Sequence, residues 1–282
     1  MLFKKVLLTM HPSKPLKNSV VERAVGVFQG AGISVCVESC MNRHLNIQLP
    51  GIDPSDGLPD CDAVVSLGGD GTLLRAMQYA VKADLPLLGI NMGRVGFLTE
   101  IEPKQLAESV QKLCDGAFYI EERMLLSVRV NQDMPILSLN DAVVNRGSRL
   151  IAINAYISDD LIGRYVGDGV IVASPTGSTG YSLSAGGPVI SPDVKCMVIS
   201  PICPHTLQHR PVVVSAKETV RLELDSEDVQ GIYLSIDGQT TVPLDGRDTI
   251  YVTCAEKTGK LIRLNKPHFF TLVREKLTEW SR

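Results

Sequence analysis

The sequence lacks any apolar run near the roughly 20 residues that a membrane-spanning helix needs. Its first apolar stretch, in MLFKKVLLTM, covers five residues and is too short for the core of a signal peptide. A strong excess of one charge is also missing, because the formal net charge is −3 over 282 residues. A broad nucleic-acid footprint and a polybasic membrane patch both need such an excess. We therefore expect a cytoplasmic protein that has neither nucleic acid nor membrane as a partner.

Metal-binding and disulfide patterns are absent from the sequence as well. The seven cysteines are scattered along the chain, their number is odd, and none of them forms a CxxC pair. Reduced thiols are therefore expected. The chain also has neither a Walker A loop nor a GxGxxG fingerprint. Binding of NAD in the manner of a Rossmann dehydrogenase is therefore disfavoured.

The first hundred residues alternate short apolar strands with helical segments. The predicted strands are KVLLTM, ISVCVE, DAVVSL and LPLLGI. Helices are expected near Ser19–Gln29, Thr72–Val81 and Lys104–Cys114. Continuous apolar strands that alternate with helices indicate a parallel sheet covered on both faces.

The rest of the chain is dominated by short β-rich runs separated by turn residues, at the spacing of an antiparallel sandwich. We therefore predict an α/β domain with a doubly wound parallel sheet over residues 1–105. A β-rich, sandwich-like domain is predicted over residues 106–261. Residues 262–282 carry apolar side chains at helical spacing, and we expect them to pack back onto the first domain as a helix.

One glycine-rich loop raises a question of charge. In DAVVSLGGDGTLLRAM, three glycines surround Asp70 between a predicted strand and a predicted helix. Backbone N–H groups and the helix dipole favour phosphate at such a place, but a carboxylate repels it. Phosphoryl transfer explains the carboxylate, either as a ligand of a cation or as the acceptor of a hydroxyl proton. The alternative is a structural turn in which Asp70 caps a helix that begins near Thr72.

Two further clusters of small residues follow along the chain. GINMGRVGFLTE places Gly89, Gly93 and Gly96 after the next predicted strand. It is either an ordinary βα loop or the second side of a polyphosphate site. DGVIVASPTGSTGYSLSAGGPVISP, residues 168–192, combines hydroxyl side chains with glycines before a predicted helix near Ser178.

Taken in order, GGDGT, NMGRVGFLTE, LNDAVVNRG, the 168–192 segment and PICPHTLQHRPVVV resemble the motifs of bacterial NAD kinases. The match is collinear from about residue 60 to residue 215, whereas GGDGT alone also occurs in diacylglycerol and sphingosine kinases. The resemblance implies transfer of the terminal phosphoryl group of ATP to the 2′-hydroxyl of the adenosine ribose of NAD, which gives NADP. It also implies ATP and NAD as substrates, a divalent cation (Mg²⁺ or Mn²⁺) with ATP, and a homodimer or homotetramer.

Within the first domain, the resemblance implies that Asp70 accepts the proton of the attacking hydroxyl and that Gly71 contacts the dinucleotide. Arg75 resembles a family position that reaches the ligand, although a solvated helix arginine is the alternative.

Within the second domain, Asn140 and Asp141 match an Asn–acidic pair of the family. An amide beside a carboxylate suits the donor and acceptor edges of adenine or ribose. Asp168 matches an acidic residue that binds the nicotinamide portion, and Gln239 matches a glutamine on the ligand side. The segment expected to wrap the dinucleotide consists of Thr179, Gly180, Tyr181, Ser182, Leu183 and Ser184.

Two of these positions have ordinary structural alternatives. Tyr181 is expected to stack on a ring of the ligand, and otherwise to be a core tyrosine. Asp237, in SIDGQ, is expected to be a turn residue rather than a second catalytic carboxylate.

Two other functions remain open at the level of the sequence. A lipid kinase of the same loop family would need a deep apolar pocket in the second domain and would have no use for the hydroxyl-rich residues 178–184. A dinucleotide sensor would use the same pocket without transferring phosphate. Replacement of Asp70 by Asn separates the sensor from the enzyme, because only the enzyme loses turnover while it keeps binding.

Overall fold

The computed structural model describes residues 3–13, 16–58, 60–93, 96–147, 149–206, 209–225, 230–265 and 269–280. The chain divides into two compact units, one formed by Met1–Glu122 with Gly259–Arg282 and the other by Arg123–Thr258. The boundary predicted at residue 105 differs from this division, because the helix after it packs against the first helix of unit 1. None of the helices in the described ranges is long and apolar enough to cross a membrane.

Within the described ranges, unit 1 consists of a sheet and four helices. Its strands are β1 (Lys5–Met10), β2 (Ser34–Glu38), β3 (Gly51–Ile52), β4 (Ala63–Gly68) and β5 (Leu87–Asn91), with the first residues of β6 (Tyr119–Val130) and the last residues of β17 (Thr249–Arg263). Its helices are α1 (Asn18–Gly30), α2 (Asp70–Lys82), α3 (Leu106–Cys114) and α5 (Phe269–Trp280), with 3-10 turns at Met41–His44, Pro54–Asp56 and Pro103–Gln105.

The sheet of unit 1 is parallel, with the strand order β17-β5-β4-β1-β2-β3. Alternate strand residues face opposite sides. Val6 and Leu8 lie in a core with Phe28 of α1 and Val110 of α3, whereas α2 packs against β4 and β5. Helices thus cover both faces, and the direction of winding reverses between β1 and β4. Ligands bind at the carboxyl ends of the strands at such a reversal.

Unit 2 is built almost entirely of strands. They are β7 (Ile136–Ser138), β8 (Asp141–Asn145), β9 (Ile151–Ile157), β10 (Asp160–Gly167), β11 (Gly169–Ala173), β12 (Cys196–Ile202), β13 (Val212–Ser215), β14 (Val220–Leu224), β15 (Tyr233–Ile236) and β16 (Thr240–Pro243), with the remaining parts of β6 and β17. A 3-10 turn at Gly177–Thr179 leads into the one-turn helix α4 (Tyr181–Ser184).

The strands of unit 2 form a sandwich. One layer has the antiparallel order β10-β9-β14-β17, and the other has the antiparallel order β13-β12-β11-β8-β15-β16. Val144, Leu234, Ile153 and Ile250 are buried in one core between the layers. The opposite face of the six-stranded layer is partly covered by Ala185 and Ile190, which follow α4. The predicted fold class is therefore confirmed.

The structure differs from the predicted elements where strands are short, polar or very long. The β-rich runs TIYVTC (residues 249–254) and KLIRLN (residues 260–265), expected as two strands, are joined in the single strand β17, which ends at Arg263. Strands β3, β7, β8, β10 and β16 were not predicted. β10 and β16 are mostly exposed or half-buried, so they lack a strong alternation of apolar residues.

Candidate functional site

Asp70 lies at the carboxyl end of β4, beside the point where the winding of the unit 1 sheet reverses. Gly69 is the N-cap of α2 and Asp70 is its first residue, and no side-chain hydrogen bond caps the helix. The capping role that was the structural alternative for Asp70 is therefore wrong. The carboxylate is left for other contacts.

The loop after β5 holds the Asp70 carboxylate in place. Its Oδ2 accepts the N–H of Phe97 at 2.7 Å, and its Oδ1 accepts the N–H groups of Leu98 and Thr99 at 3.1 Å each and the Thr99 hydroxyl at 3.3 Å. A carboxylate has about four lone-pair directions. Among the described residues Oδ2 has a single donor, Phe97, which leaves one of its lone-pair directions for a further proton. Residues 94 and 95 of this loop, including Arg94, lie outside the described residues.

Gly96 brings the loop backbone against Asp70. A Cβ built at Gly96 would overlap the carboxylate of Asp70. The loop that contains the second glycine cluster therefore packs against the loop that contains Asp70. The two loops lie together at the carboxyl ends of β4 and β5.

Gly71 and Arg75 follow Asp70 on α2 and have different surroundings. Gly71 is exposed in the first turn. Arg75 donates to both carboxylate oxygens of Glu38, at 2.7 and 2.5 Å, and also to the Thr9 hydroxyl and the Met10 carbonyl oxygen. With a side-chain exposure of 20%, Arg75 is not the solvated arginine of the alternative interpretation. Its predicted contact with the ligand stays a prediction.

Unit 2 contains a cavity of about 310 Å³ on the outer face of its six-stranded layer. Its lining residues alternate along two neighbouring antiparallel strands and the turns that flank them, with a wall from α4: Asn140, Asp141, Val143, Asn145, Tyr181, Tyr233, Ser235, Asp237 and Gly238. The register pairs Asn145 with Tyr233 and Val143 with Ser235. Side chains two residues apart share a face of a strand, so the floor is one surface on which the polar Asn145, Tyr233 and Ser235 adjoin the apolar Val143.

Two carboxyl groups meet at one end of this cavity. Burial is the main reason that the pKa of Asp141 rises from 3.8 to about 7, and the negative charge of Asp237 raises it further. Burial also raises the pKa of Asp237, but hydrogen bonds from Ser138 and from the backbone of residues 139–141 oppose that rise. Burial thus raises the pKa of both carboxyl groups, and the hydrogen bonds that Asp237 accepts favour its charged form.

The structure places three of the predicted residues, Asn140, Asp141 and Tyr181, on the cavity. Tyr181 is 46% exposed, so the core tyrosine of the alternative interpretation is wrong. Burial is the main reason that its pKa is raised.

The other residues of the predicted wrapping segment are not part of the cavity lining. The hydroxyl of Thr179 is buried and donates to the Thr176 carbonyl oxygen at 3.3 Å. Ser182 is buried with its Oγ 3.0 Å from that of Ser200. Gly180 lies beside the cavity, because a Cβ built there would be 3.6 Å from Asn140 Nδ2 and 4.0 Å from Asp141 Oδ2. Leu183 is half-buried and Ser184 is exposed.

Asp168 and Gln239 lie in turns of unit 2. Asp168 is exposed between β10 and β11, where its N–H donates to the Ile202 carbonyl oxygen at 3.0 Å. Its carboxylate raises the pKa of the neighbouring Cys203 thiol. Gln239 is exposed in the β15–β16 turn. Neither side chain lines the cavity.

Sequence patterns missed four polar members of the cavity: Asn145, Tyr233, Ser235 and Asp237. The alternation of polar and apolar residues in YLSID could have identified one polar face of β15. Its pairing with β8 is a property of the tertiary fold, which no local pattern contains.

The described residues contain no group of three or more His, Cys, Asp or Glu side chains that could hold a metal ion. Each unit contains one of the acidic residues predicted from the sequence, Asp70 in unit 1 and Asp141 in unit 2.

Comparison with known families and structures bears directly on these sites. The ATP-NAD kinase N-terminal domain matches residues 56–118, which include Asp70 and the loop that binds it. The ATP-NAD kinase C-terminal domain matches residues 139–264, which include every lining residue of the cavity.

Individual relatives agree with these matches. The chain is 44% identical to an NAD kinase of Caldanaerobacter subterraneus subsp. tengcongensis over 77% of this chain and 79% of the relative. It is 35% identical to an NAD kinase of Geobacter sp. (strain M21) over 99% of both chains. The chain belongs to the ATP-NAD kinase family.

Two solved structures share the fold. The yeast NADH kinase complexed with NADH has a TM-score of 0.87 at 24% identity, over 99% of this chain and 88% of that chain. An NAD kinase from Archaeoglobus fulgidus in complex with ATP has a TM-score of 0.75 at 25% identity, over 97% of this chain and 98% of that chain.

Proposed function

We propose that this protein is an ATP-dependent NAD kinase in which Asp70 acts as the proton acceptor. The 2′-oxygen of the adenosine ribose forms a bond to the γ-phosphorus of ATP, the bond from that phosphorus to the β–γ bridging oxygen breaks, and Asp70 takes the hydroxyl proton. The products are NADP and ADP. Membership of the ATP-NAD kinase family supports the reaction.

The single observation that supports the role of Asp70 is the arrangement of its hydrogen bonds. Three backbone N–H groups and one hydroxyl fix the carboxylate, while Oδ2 accepts from a single donor in the described part of the chain. A fixed base is useful in phosphoryl transfer, because catalysis there depends on positioning and charge more than on covalent chemistry.

The cavity of unit 2 supports binding of a nucleoside portion of the dinucleotide. Asn140 offers an amide, and Asp141 offers a carboxyl group that can donate or accept, depending on its proton. Tyr181 provides a ring that is exposed enough to stack on a base. We assign the remaining dinucleotide contacts to Gly71, Arg75, Asp168, Gln239 and the 179–184 segment, on the family resemblance alone.

A divalent cation is proposed to accompany ATP. Mg²⁺ usually keeps several waters and binds through substrate phosphates with one or two carboxylates. The ion would neutralise phosphate charge during transfer.

Replacement of Asp70 by Asn tests the proposal. We expect kcat for NADP formation to fall by about 10²–10⁴-fold, which is the usual contribution of a general base. The dissociation constant for NAD should change little. Turnover is measured by NADP formation with ATP and Mg²⁺, and binding by calorimetry.

The outcomes of this test separate the candidate functions. A wild-type protein that forms no NADP under these conditions contradicts the kinase. If the wild-type protein binds NAD but forms no NADP, and the Asp70→Asn variant binds NAD equally well, the protein is a dinucleotide sensor. The cytoplasmic location and the assembly as a homodimer or homotetramer remain proposals. Light scattering of the purified chain measures the oligomeric state.

A further inference from the structure

Asp237 makes an unusual set of contacts for a residue in a hairpin turn. Its Oδ1 accepts the Ser138 hydroxyl at 2.6 Å and the N–H groups of Asn140 and Asp141 at 2.7 and 3.1 Å, and its Oδ2 accepts the N–H of Leu139 at 2.9 Å. The backbone N–H of Asp237 in turn donates to the Asp141 carbonyl oxygen at 2.9 Å. One carboxylate therefore organises four consecutive residues almost a hundred positions away.

We propose that Asp237 is a positioning residue of the dinucleotide site, which holds residues 138–141 so that Asn140 and Asp141 face the cavity, and whose charge controls the protonation of Asp141. The inference rests on the proposed function, because the site that it positions is the one proposed to bind NAD.

The geometry shows why these contacts leave the two neighbouring side chains available to a ligand. The backbone N–H groups of residues 139–141 donate to the Asp237 carboxylate. They therefore do not compete with a ligand for the side-chain oxygens of Asn140 and Asp141. Asn140 Oδ1 is buried and has no hydrogen-bond partner among the described residues. Asn140 and Asp141 both line the cavity. An unpaired polar atom of this kind is costly unless a ligand or water satisfies it.

The backbone of Asp237 is also specialised for this place. Its φ is +51°, a left-handed conformation that most residues with a side chain avoid but that Asp tolerates. Only 5% of Asp237 is exposed. A simple turn residue would be expected on the surface, so the buried carboxylate indicates a function beyond closing the hairpin.

Charge is the second means by which Asp237 acts on the site. The pKa of Asp141 is raised to about 7 by burial and then by the Asp237 charge. The other titratable side chains that line the same cavity are Tyr181 from α4 and Tyr233 from β15. The Asp237 carboxylate lies beside Asp141, whose N–H donates to it at 3.1 Å, and the hydrogen bonds that it accepts favour its charged form.

Two substitutions separate the geometric from the electrostatic effect. Asp237→Asn keeps the size and one oxygen acceptor but removes the charge, whereas Asp237→Ala removes every acceptor. The dissociation constant for NAD is measured by calorimetry from pH 5.5 to 8.5. Asp245→Asn is the matched control, because Asp245 is an exposed carboxylate that accepts a backbone N–H in another turn of unit 2.

For the wild type and the control we expect the affinity for NAD to change with a midpoint near pH 7, the pKa of Asp141. Asp237→Asn should move this midpoint to lower pH by about one unit, since a like charge has been removed. Asp141→Asn should abolish the midpoint. Asp237→Ala should weaken NAD binding by about tenfold or more at every pH, because the turn loses all four of its hydrogen bonds to the carboxylate.

Each result has a defined meaning. If Asp237→Asn stays folded, binds NAD and keeps the wild-type midpoint, Asp237 does not control the protonation of Asp141. If Asp237→Ala stays folded and binds NAD as the wild type does, the positioning role is wrong. A wild-type protein that neither binds nor phosphorylates NAD overturns the proposed function instead, so the two failures are distinguishable. If Asp237→Ala fails to fold, the Asp237→Asn variant still tests the proposal. Control of Asp141 by the charge of Asp237 requires that this variant shift the pH midpoint of NAD affinity.

Discussion

Gly96 has no room for a side chain, because the Asp70 carboxylate occupies the place where its Cβ would lie. The clashing group is the end of a side chain, which moves more easily than backbone. Gly96→Ala is therefore expected to displace the carboxylate from its donors at residues 97–99 rather than to unfold unit 1. We expect kcat for NADP formation to fall at least about tenfold with NAD binding retained.

Gly93→Ala is the control for this substitution. Gly93 belongs to the same loop and is exposed, and a Cβ built there would have no atom of the described residues within 4 Å. Its turnover should stay within about twofold of the wild type. Equal activity of the two alanine variants would show that the position of Asp70 does not limit the reaction.

Gly177 shows the same principle in unit 2. A Cβ at this position would overlap the Asn140 carbonyl oxygen, so the 3-10 turn before α4 lies directly on the backbone of the cavity residue. Backbone cannot move aside as a side chain can. The glycines of the two motifs thus serve close packing around functional residues, in addition to any contact with phosphate.

Helix α2, which carries Asp70, is tied to the neighbouring strands through a buried ion pair. Arg75 donates to both carboxylate oxygens of Glu38 at the end of β2, and Glu38 also accepts the hydroxyl of Thr9 at the end of β1. The side-chain exposures are 20% for Arg75 and 4% for Glu38. Loss of one partner leaves the other charge largely buried without compensation.

Glu38→Gln is therefore expected to lower the free energy of unfolding by roughly 2–4 kcal/mol. Urea denaturation measures this change. Glu108→Gln removes half of the exposed Glu108–Lys112 pair on α3 and should cost less than about 1 kcal/mol. Similar losses for the two variants would mean that the buried pair adds nothing to the stability of unit 1.

At the scale of the whole molecule, the proton on Asp141 makes stability depend on pH. Its pKa is about 7 in the folded chain, above the ordinary value of 3.8. The folded chain therefore holds a proton that the unfolded chain releases between these values. This stabilisation is complete below about pH 4 and is lost as the pH rises through about 7.

Asp141→Asn removes the titration, because an amide does not ionise. The variant should exceed the wild type in free energy of unfolding at pH 8 by up to about 4 kcal/mol, and the difference should shrink towards pH 4. Urea denaturation at several pH values gives the comparison, with Asp245→Asn as an exposed control. A difference that is constant with pH would show that Asp141 titrates normally.

Local patterns were sufficient for the fold class and the family. Apolar runs and helical spacing predicted β1, β2, β4, β5 and the helices between them, because burial on two faces leaves a periodic trace in the sequence. The ordered motifs from GGDGT to the 168–192 segment predicted an NAD kinase, and the two family matches confirm it. The roles of the individual motif residues stay predictions.

The sequence by itself therefore determined the fold class, the family and the position of Asp70 among glycines. Only the tertiary structure decided that Asp70 is held by residues 97–99, that Arg75 pairs with Glu38, and that Asp237 organises residues 138–141. The physical reason is the range of the interactions. Periodicity and turn chemistry are local, whereas a hydrogen bond across a sheet depends on strand order and register, which the chain acquires only when distant segments pack together.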